Sequence, residues 1–290
     1  MKTRPYVIVT PSYCVSAGVR VMHTLCHELN ALGLDAKLLI TSNLSPSPAE
    51  MLNPALNTPC INPIFERAWP RLQDEAIVIC TDGFPGNPFG AKHVVRYVLG
   101  KEMPRETDNP EEFRVYYSKA FPAQRAGRHA VLYLLPIDLA LFNANNVVER
   151  PQNMLWLGKG ARFLKDTHEG CIPITYSWPP TRPELAFHLR RTSRLYSYDA
   201  VSATNLEAVL CGATVVLKHL SYHDWTWTRA DMEAMEQGTG GFAFGDSDYE
   251  LDRAERTRQE TMERIRYHQA SFKMRLLEFV EATQYRFRAN

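Results

Sequence analysis

The sequence predicts an α/β protein built from two doubly wound halves. Three observations predict it. Short apolar, β-branched runs alternate with stretches of helical periodicity along the whole chain. Gly or small polar residues punctuate the change from one to the next. A polar stretch, Asn143 to Asn153, divides the chain into halves of similar size, 1–145 and 146–290.

In the first half, Tyr6-Val-Ile-Val-Thr10 reads as a buried parallel strand, followed by the Pro11 to Gly18 turn. Val21, Met22, Leu25, Leu29 and Leu32 fall at helical spacing up to Gly33, and Ala36 to Thr41 gives the next strand. Asn43 to Pro70 is rich in Pro, Asn and Ser and reads as loop with short helical pieces. Ala76 to Cys80 is a strand that enters the loop Thr81 to Gly90; Ala91 to Leu99 reads as a helix closed by Gly100. Phe113 to Ser118 and Ala130 to Leu135 are two further strands.

The second half opens with the strand Met154 to Leu157 and the turn Gly158-Lys-Gly160. Cys171 to Thr175 is a short strand, and Thr181 caps a helix with Pro183 in its first turn that runs to about Arg191. Arg194 to Tyr198 is a strand. A helix then opens around Thr204-Asn205 and closes at Cys211-Gly212, before the buried strand Thr214 to Leu217. His219 to Trp227 is aromatic-rich, either the rim of a cleft or a packed loop, and Gly238 to Gly241 reads as a flexible loop. From Asp246 the chain is charged and helical. Leu251, Ala254, Met262, Ile265, Phe272, Leu276, Leu277 and Phe279 form its apolar stripe.

Composition narrows the function. The net charge is +1 and 45% of the 290 residues are hydrophobic, which disfavours a nucleic-acid binder and supplies sizeable cores. No apolar run reaches the roughly eighteen residues of a membrane span. The N-terminus enters a strand with no apolar leader, so a cytoplasmic location is expected. The six cysteines lack CxxC spacing and read as reduced thiols, and no zinc pattern is present. Ser16-Ala-Gly18 is not a GxGxxG fingerprint, which disfavours NAD.

The chemistry gathers around residues 195–217. Asp199 precedes the helix and Glu207 lies within its first turns, with seven residues between them. Helix-start N–H groups at Thr204 and Asn205 suit a phosphate, and a carboxylate such as Glu207 suits the hydroxyls of a ribose. An ordinary βαβ unit with a solvated Glu207 is the competing reading. Lys159 is the leading cation for a departing diphosphate, with Arg162 and Lys165 behind it; a β-turn is the alternative. Asp82, at a strand's end, is a base, a sugar ligand or an Asx turn. Tyr176 or Trp178 packs against a base or only locally.

The run Glu207-Ala-Val-Leu-Cys-Gly-Ala-Thr-Val-Val216, with its acidic spacing, resembles the donor-site motif of GT-B glycosyltransferases, notably the group 1, glycogen-synthase-like families. Their first acidic residue is usually Glu, where this chain has Asp199. The resemblance covers about thirty residues closely. It implies two Rossmann-like domains facing across a cleft, an N-terminal acceptor domain and a C-terminal donor domain, with a terminal helix crossing back. It implies Asp199 at the sugar, Glu207 at the ribose, and Gly158, Lys159, Arg162, Tyr176, Thr204 and Asn205 around the nucleotide. Gly18 resembles the first-loop glycine that approaches the donor, and Asp82 the acceptor-side base of an inverting enzyme. The Gly86-Asn-Pro-Phe-Gly-Ala-Lys92 run resembles bacterial polysaccharide glycosyltransferases. The implied activity is transfer from a nucleotide-diphosphate sugar to a saccharide or lipid-linked hydroxyl, without metal or other cofactor, retaining rather than inverting. The same layout leaves open a nucleotide-sugar epimerase and a non-catalytic nucleotide-binding module. A peripheral contact with the inner membrane face fits the basic chain end, Arg286 and Arg288; oligomeric state is not readable.

Overall fold

A computed structural model of the chain describes residues 3–45, 47–61, 69–84, 86–102, 111–123, 129–147, 149–222 and 225–288. Residues 62–68 of the long loop and His223-Asp224 of the aromatic stretch lie outside them. The chain divides into two units, Met1–Pro136 with Gln269–Asn290, and Ile137–His268.

The first unit holds β1 (Tyr6–Thr10), α1 (Ala17–Ala31), β2 (Ala36–Ile40), α2 (Pro48–Met51), β3 (Cys60–Ile61), α3 (Trp69–Glu75), β4 (Ile77–Thr81), β5 (His93–Val98), β6 (Phe113–Tyr116) and β7 (Ala130–Val131). They form a seven-stranded sheet, β3-β2-β1-β4-β5-β6-β7, in which every pairing is parallel. β1 is buried along its whole length because both sheet faces are covered. Tyr6 and Ile8 point to the face covered by Val21, Met22, Leu25 and Leu29 of α1, and Val7 and Val9 to the opposite one.

Two readings of this half change. Ala91 to Leu99 is not a helix but leads into β5, which pairs with β4 and β6. Val94 to Val98 are all buried, the signature of a central parallel strand rather than a one-faced helix. The Ala130 to Leu135 strand shortens to β7, whose two residues pair with Val115 and Tyr116.

The second unit holds β8 (Gln152–Trp156), a 3-10 helix (Gly158–Phe163), β9 (Ile172–Ile174), α4 (Arg182–Arg190), β10 (Thr192–Ser197), α5 (Ala203–Leu210), β11 (Thr214–Leu217), the hairpin β12 (Ser221–Tyr222) and β13 (Trp225–Thr226), α6 (Arg229–Ala234), β14 (Phe242–Phe244) and the start of α7 (Asp248–Arg286). Its parallel sheet has the order β14-β11-β10-β8-β9. The chain builds outward from β8 to β9, then returns to the other side with β10. The boundary between β8 and β10 is therefore the topological switch point, where open α/β sheets bind ligands beyond their carboxyl ends.

The division falls nine residues before the cut expected from the polar stretch, after Pro136 rather than 145. The reason is local. Phe142 lies against the Arg182 guanidinium, and the Leu141 carbonyl accepts from Arg190, so these residues belong with α4. The last part of α7 belongs to the first unit. Phe272, Leu276 and Phe279 join its core, and Thr283 Oγ1 lies 2.8 Å from the Tyr6 hydroxyl. Leu277, counted in the apolar stripe, faces solvent instead. The Gly238 to Gly241 segment is buried rather than flexible: the Gly241 N–H donates to the Ala254 carbonyl of α7, and its own carbonyl accepts from Val215. Among the described residues no helix is long and apolar enough to cross a membrane.

Candidate functional site

The site is built on the switch point of the second unit. β8 ends at Trp156 and the chain turns at Gly158, whose φ of +47° lies in the left-handed region that disfavours a side chain. Two residues on, Gly160 passes so close to β10 that a Cβ there would lie 1.8 Å from the Tyr198 carbonyl oxygen. Both glycines are thus required by the approach of two strand ends.

Asp199 follows β10 and reaches back across this gap. Its Oδ2 accepts from the Lys159 backbone N–H at 3.2 Å. Burial pushes its carboxyl above the ordinary range, opposed by the positive charge and the N–H of Lys159. Asp199 thus sits on the Gly158-Lys159 turn, and the Lys159 side chain extends to solvent.

The helix behind it begins earlier than the sequence suggested. Ser202 is the N-cap of α5, in extended backbone geometry, and its hydroxyl accepts from the Thr204 N–H and from the Trp156 indole at 3.0 Å. Asn205 is fully buried and turns inward: its amide donates to the carbonyls of Asp199 at 2.8 Å and Ala200 at 3.2 Å. Its side chain shapes the Asp199 loop instead of meeting solvent. Thr204 remains half-buried at the helix start.

Glu207 is the fifth residue of α5 and wholly buried rather than solvated. Its carboxylate accepts from the guanidinium of Arg182, the first residue of α4. A capping box between Thr181 and Glu184 fixes that helix start, and Arg182 stacks on the Phe142 ring at 4.5 Å. Tyr176 is exposed and meets Trp156 edge-on at 5.4 Å between centroids. Arg162 lies over the ring of Phe163, which stacks on His219 at 3.7 Å. Lys218, just past β11, bridges Asp166 and Asp246 at 3.0 Å each and ties three loops at the same end of the sheet.

The structure therefore brings together Gly158, Lys159, Asp199, Thr204 and Asn205, with Tyr176 joined through Trp156, and sets Glu207 behind Arg182. Gly18 and Asp82 belong to the first unit. Gly18 is in the first turn of α1, and Asp82 Oδ1 accepts from the Leu99 N–H at 3.0 Å. Arg96 holds the Asp82 loop: it donates to the carbonyls of Thr81, Phe84 and Gly86 and pairs with Glu112, both side chains buried. Among the described residues, no three His, Cys, Asp or Glu side chains are grouped as a metal site requires.

Sequence reasoning missed Arg182, Ser202 and Trp156. Ser202 was findable as the small polar residue before the helix, and Arg182 as the residue after the Thr181 cap; nothing in the spacing pairs Arg182 with Glu207.

No protein-family model matches the sequence, and no curated protein matches it. Solved structures do. A glycosyltransferase from Rickettsia africae ESF-5 is 12% identical, covers 100% of both chains and has a TM-score of 0.57. A T4 phage BGT mutant in complex with UDP-glucose is 9% identical over 98% of this chain and 100% of its own, with a TM-score of 0.49. Acinetobacter baumannii MurG is 12% identical over 97% and 99%, with a TM-score of 0.47. The first likeness, spanning both units, shows the two-domain Rossmann-like fold of GT-B type.

Proposed function

We propose that this protein is a glycosyltransferase that binds a nucleotide-diphosphate sugar on its second unit and moves the sugar to a hydroxyl of a saccharide or lipid-linked acceptor. The observation that carries the reading is the convergence of Asp199, the Gly158-Lys159 turn and the capped start of α5 at the β8/β10 switch point. The full-length fold likeness to the Rickettsia glycosyltransferase supports it.

In this reading the diphosphate lies near the N-terminus of α5, where the helix dipole favours negative charge; the Thr204 and Asn205 N–H groups themselves are already bonded to Ser202. Lys159 and Arg162 offset the charge that builds on the leaving diphosphate, so the reaction proceeds without a metal. Asp199 accepts from a sugar hydroxyl and orients the ring. Tyr176 offers an exposed aromatic face to the base. Transfer retains the anomeric configuration through front-face attack, with no covalent protein intermediate. Asp82 belongs to the acceptor side. Bacterial surface polysaccharide synthesis, at the inner face of the membrane, is the setting that the Gly86 to Lys92 run suggests.

The test is nucleoside diphosphate release from UDP-, GDP- and ADP-sugars, each with and without simple saccharide and polyprenyl-phosphate-sugar acceptors. Acceptor-dependent release from one donor, abolished in Asp199→Ala, is expected, and NMR of the product reads the anomer. Interconversion of the sugar without acceptor would instead make the protein an epimerase.

A further inference from the structure

The first unit has a switch point of its own. Its chain builds outward from β1 through β2 to β3, then returns to the other side of β1 with β4. The loops Pro11 to Gly18 and Thr81 to Gly90 leave the carboxyl ends of those two strands, where open α/β sheets bind ligands. Both loops are tied by buried polar side chains. The Pro11 carbonyl accepts from the His23 ring Nε2 at 3.0 Å, and His23 is 0% exposed. The second loop closes on Arg96 of β5. Its guanidinium donates to the carbonyls of Thr81 at 3.0 Å, of Phe84, and of Gly86 at 2.7 Å, and to the Glu112 carboxylate at 3.0 and 2.6 Å, so all five N–H groups are engaged. The Arg96 and Glu112 side chains are 8% and 2% exposed. Cys80, paired with Arg96 across the strands, and Val94 belong to an apolar cluster. An apolar pair in place of Arg96 and Glu112 would serve stability as well or better. What the ion pair adds is a fixed course for the Thr81 to Gly90 loop.

We propose that Arg96 is a positioning residue for the acceptor. It fixes the peptide that leads into Asp82, while the Leu99 N–H holds Asp82 Oδ1 at 3.0 Å, so the loop meets the acceptor in one geometry. The proposal rests on the reading that Asp82 serves the acceptor side of a glycosyltransferase. It adds that Arg96 acts on the acceptor and leaves donor binding, assigned to the second unit, untouched. Arg96 itself contacts no substrate. Glu112 orients the guanidinium and offsets its buried charge.

Removing Arg96 alone would leave the Glu112 charge buried and uncompensated, so the test replaces the pair, Arg96→Met with Glu112→Leu. UDP-, GDP- and ADP-sugars are assayed with simple saccharide and polyprenyl-phosphate-sugar acceptors, and the combination that the wild-type protein turns over is carried through. The double variant should lose about ten- to a hundredfold in kcat/KM for the acceptor, the cost of a misplaced loop, with the donor KM within about twofold of wild type. Hydrogen exchange across residues 81–90 should quicken. Arg96→Lys keeps a charge beside Glu112 but has three donors instead of a five-donor fork, and should shift the acceptor constant in the same direction. Glu112→Gln keeps an acceptor for Arg96, so it should lower the melting temperature yet leave the acceptor KM within about threefold of wild type. Unchanged acceptor constants in both Arg96 variants, or acceptor and donor constants that worsen together, would overturn the proposal while leaving the transferase reading intact. If the wild-type protein transfers no sugar from any donor, the transferase reading is overturned, and this proposal with it.

Discussion

Gly158 and Asp199 share one space: a Cβ on Gly158 would lie 2.4 Å from Asp199 Oδ2 and 2.7 Å from its Cβ. The carboxylate holds its position over the turn only because Gly158 carries no side chain. Gly158→Ala must also adopt a positive φ, a strain of about 1–3 kcal/mol. We expect a lower melting temperature together with loss of nucleoside diphosphate affinity. A variant that melts lower yet binds normally would separate the turn from the site.

Asp199 is less stable as a carboxylate in the fold than in the unfolded chain, since burial raises its pKa. The folded state keeps the proton to higher pH than the unfolded one. The group therefore lowers stability as pH rises from about 3.9, the unfolded value, through the raised folded value. Asp199→Asn removes that penalty while keeping an acceptor for the Lys159 N–H. It should match or exceed the wild-type melting temperature at pH 7, with the gap narrowing at pH 4, and it should lose transferase activity. A variant that melts below wild type at pH 7 refutes this.

Much of the fold was legible because parallel strands buried on both faces leave apolar runs such as Tyr6 to Val9 and Thr214 to Leu217, and because helix ends carry caps. β5 was misread for a physical reason. Ala91, Val94, Val95 and Val98 fall at helical spacing, and only pairing with β4 and β6 shows that the whole run is buried. The Arg96 clamp on the Asp82 loop was hidden by the same error. At the donor site the turn and helix start were legible from Gly158, Gly160 and the polar residues before α5. The inward turn of Asn205 and the Arg182–Glu207 pair were not, because each depends on a contact that no sequence spacing encodes.

Glu250 anchors the start of α7. Arg253 above all, then the Phe244 N–H and Arg229, hold its carboxyl down to about 2 against the effect of burial. Because the folded value is depressed, this stabilisation is complete above about 4.3, the unfolded value, and is lost as pH falls toward 2. Glu250→Gln should destabilise the protein at pH 7 by about 1–3 kcal/mol and match wild type near pH 2. Thermal melts across that range check it; a constant offset at all pH values would show that charge is not the cause.

The glycine segment before β14 fits against α7 with no space to spare: a Cβ on Gly240 would lie 2.0 Å from the Thr257 carbonyl oxygen. Gly240→Ala should cost about 1–3 kcal/mol through overpacking. Hydrogen exchange should quicken first around residues 237–257. Unchanged exchange there would mean that the segment yields freely.

The most direct measurement is a thermal-shift series on the wild-type protein with UDP, GDP, ADP, CDP and CMP, repeated on Asp199→Ala and on Lys159→Ala. A ligand that binds only the folded state raises the melting temperature by mass action, about 2.7 kcal/mol of added stability at a hundredfold excess over Kd. The account predicts a shift with one nucleoside diphosphate, larger than with CMP, and reduced in both variants. No shift with any diphosphate, or an equal shift in both variants, would contradict the assignment of the β8/β10 switch point as the donor site.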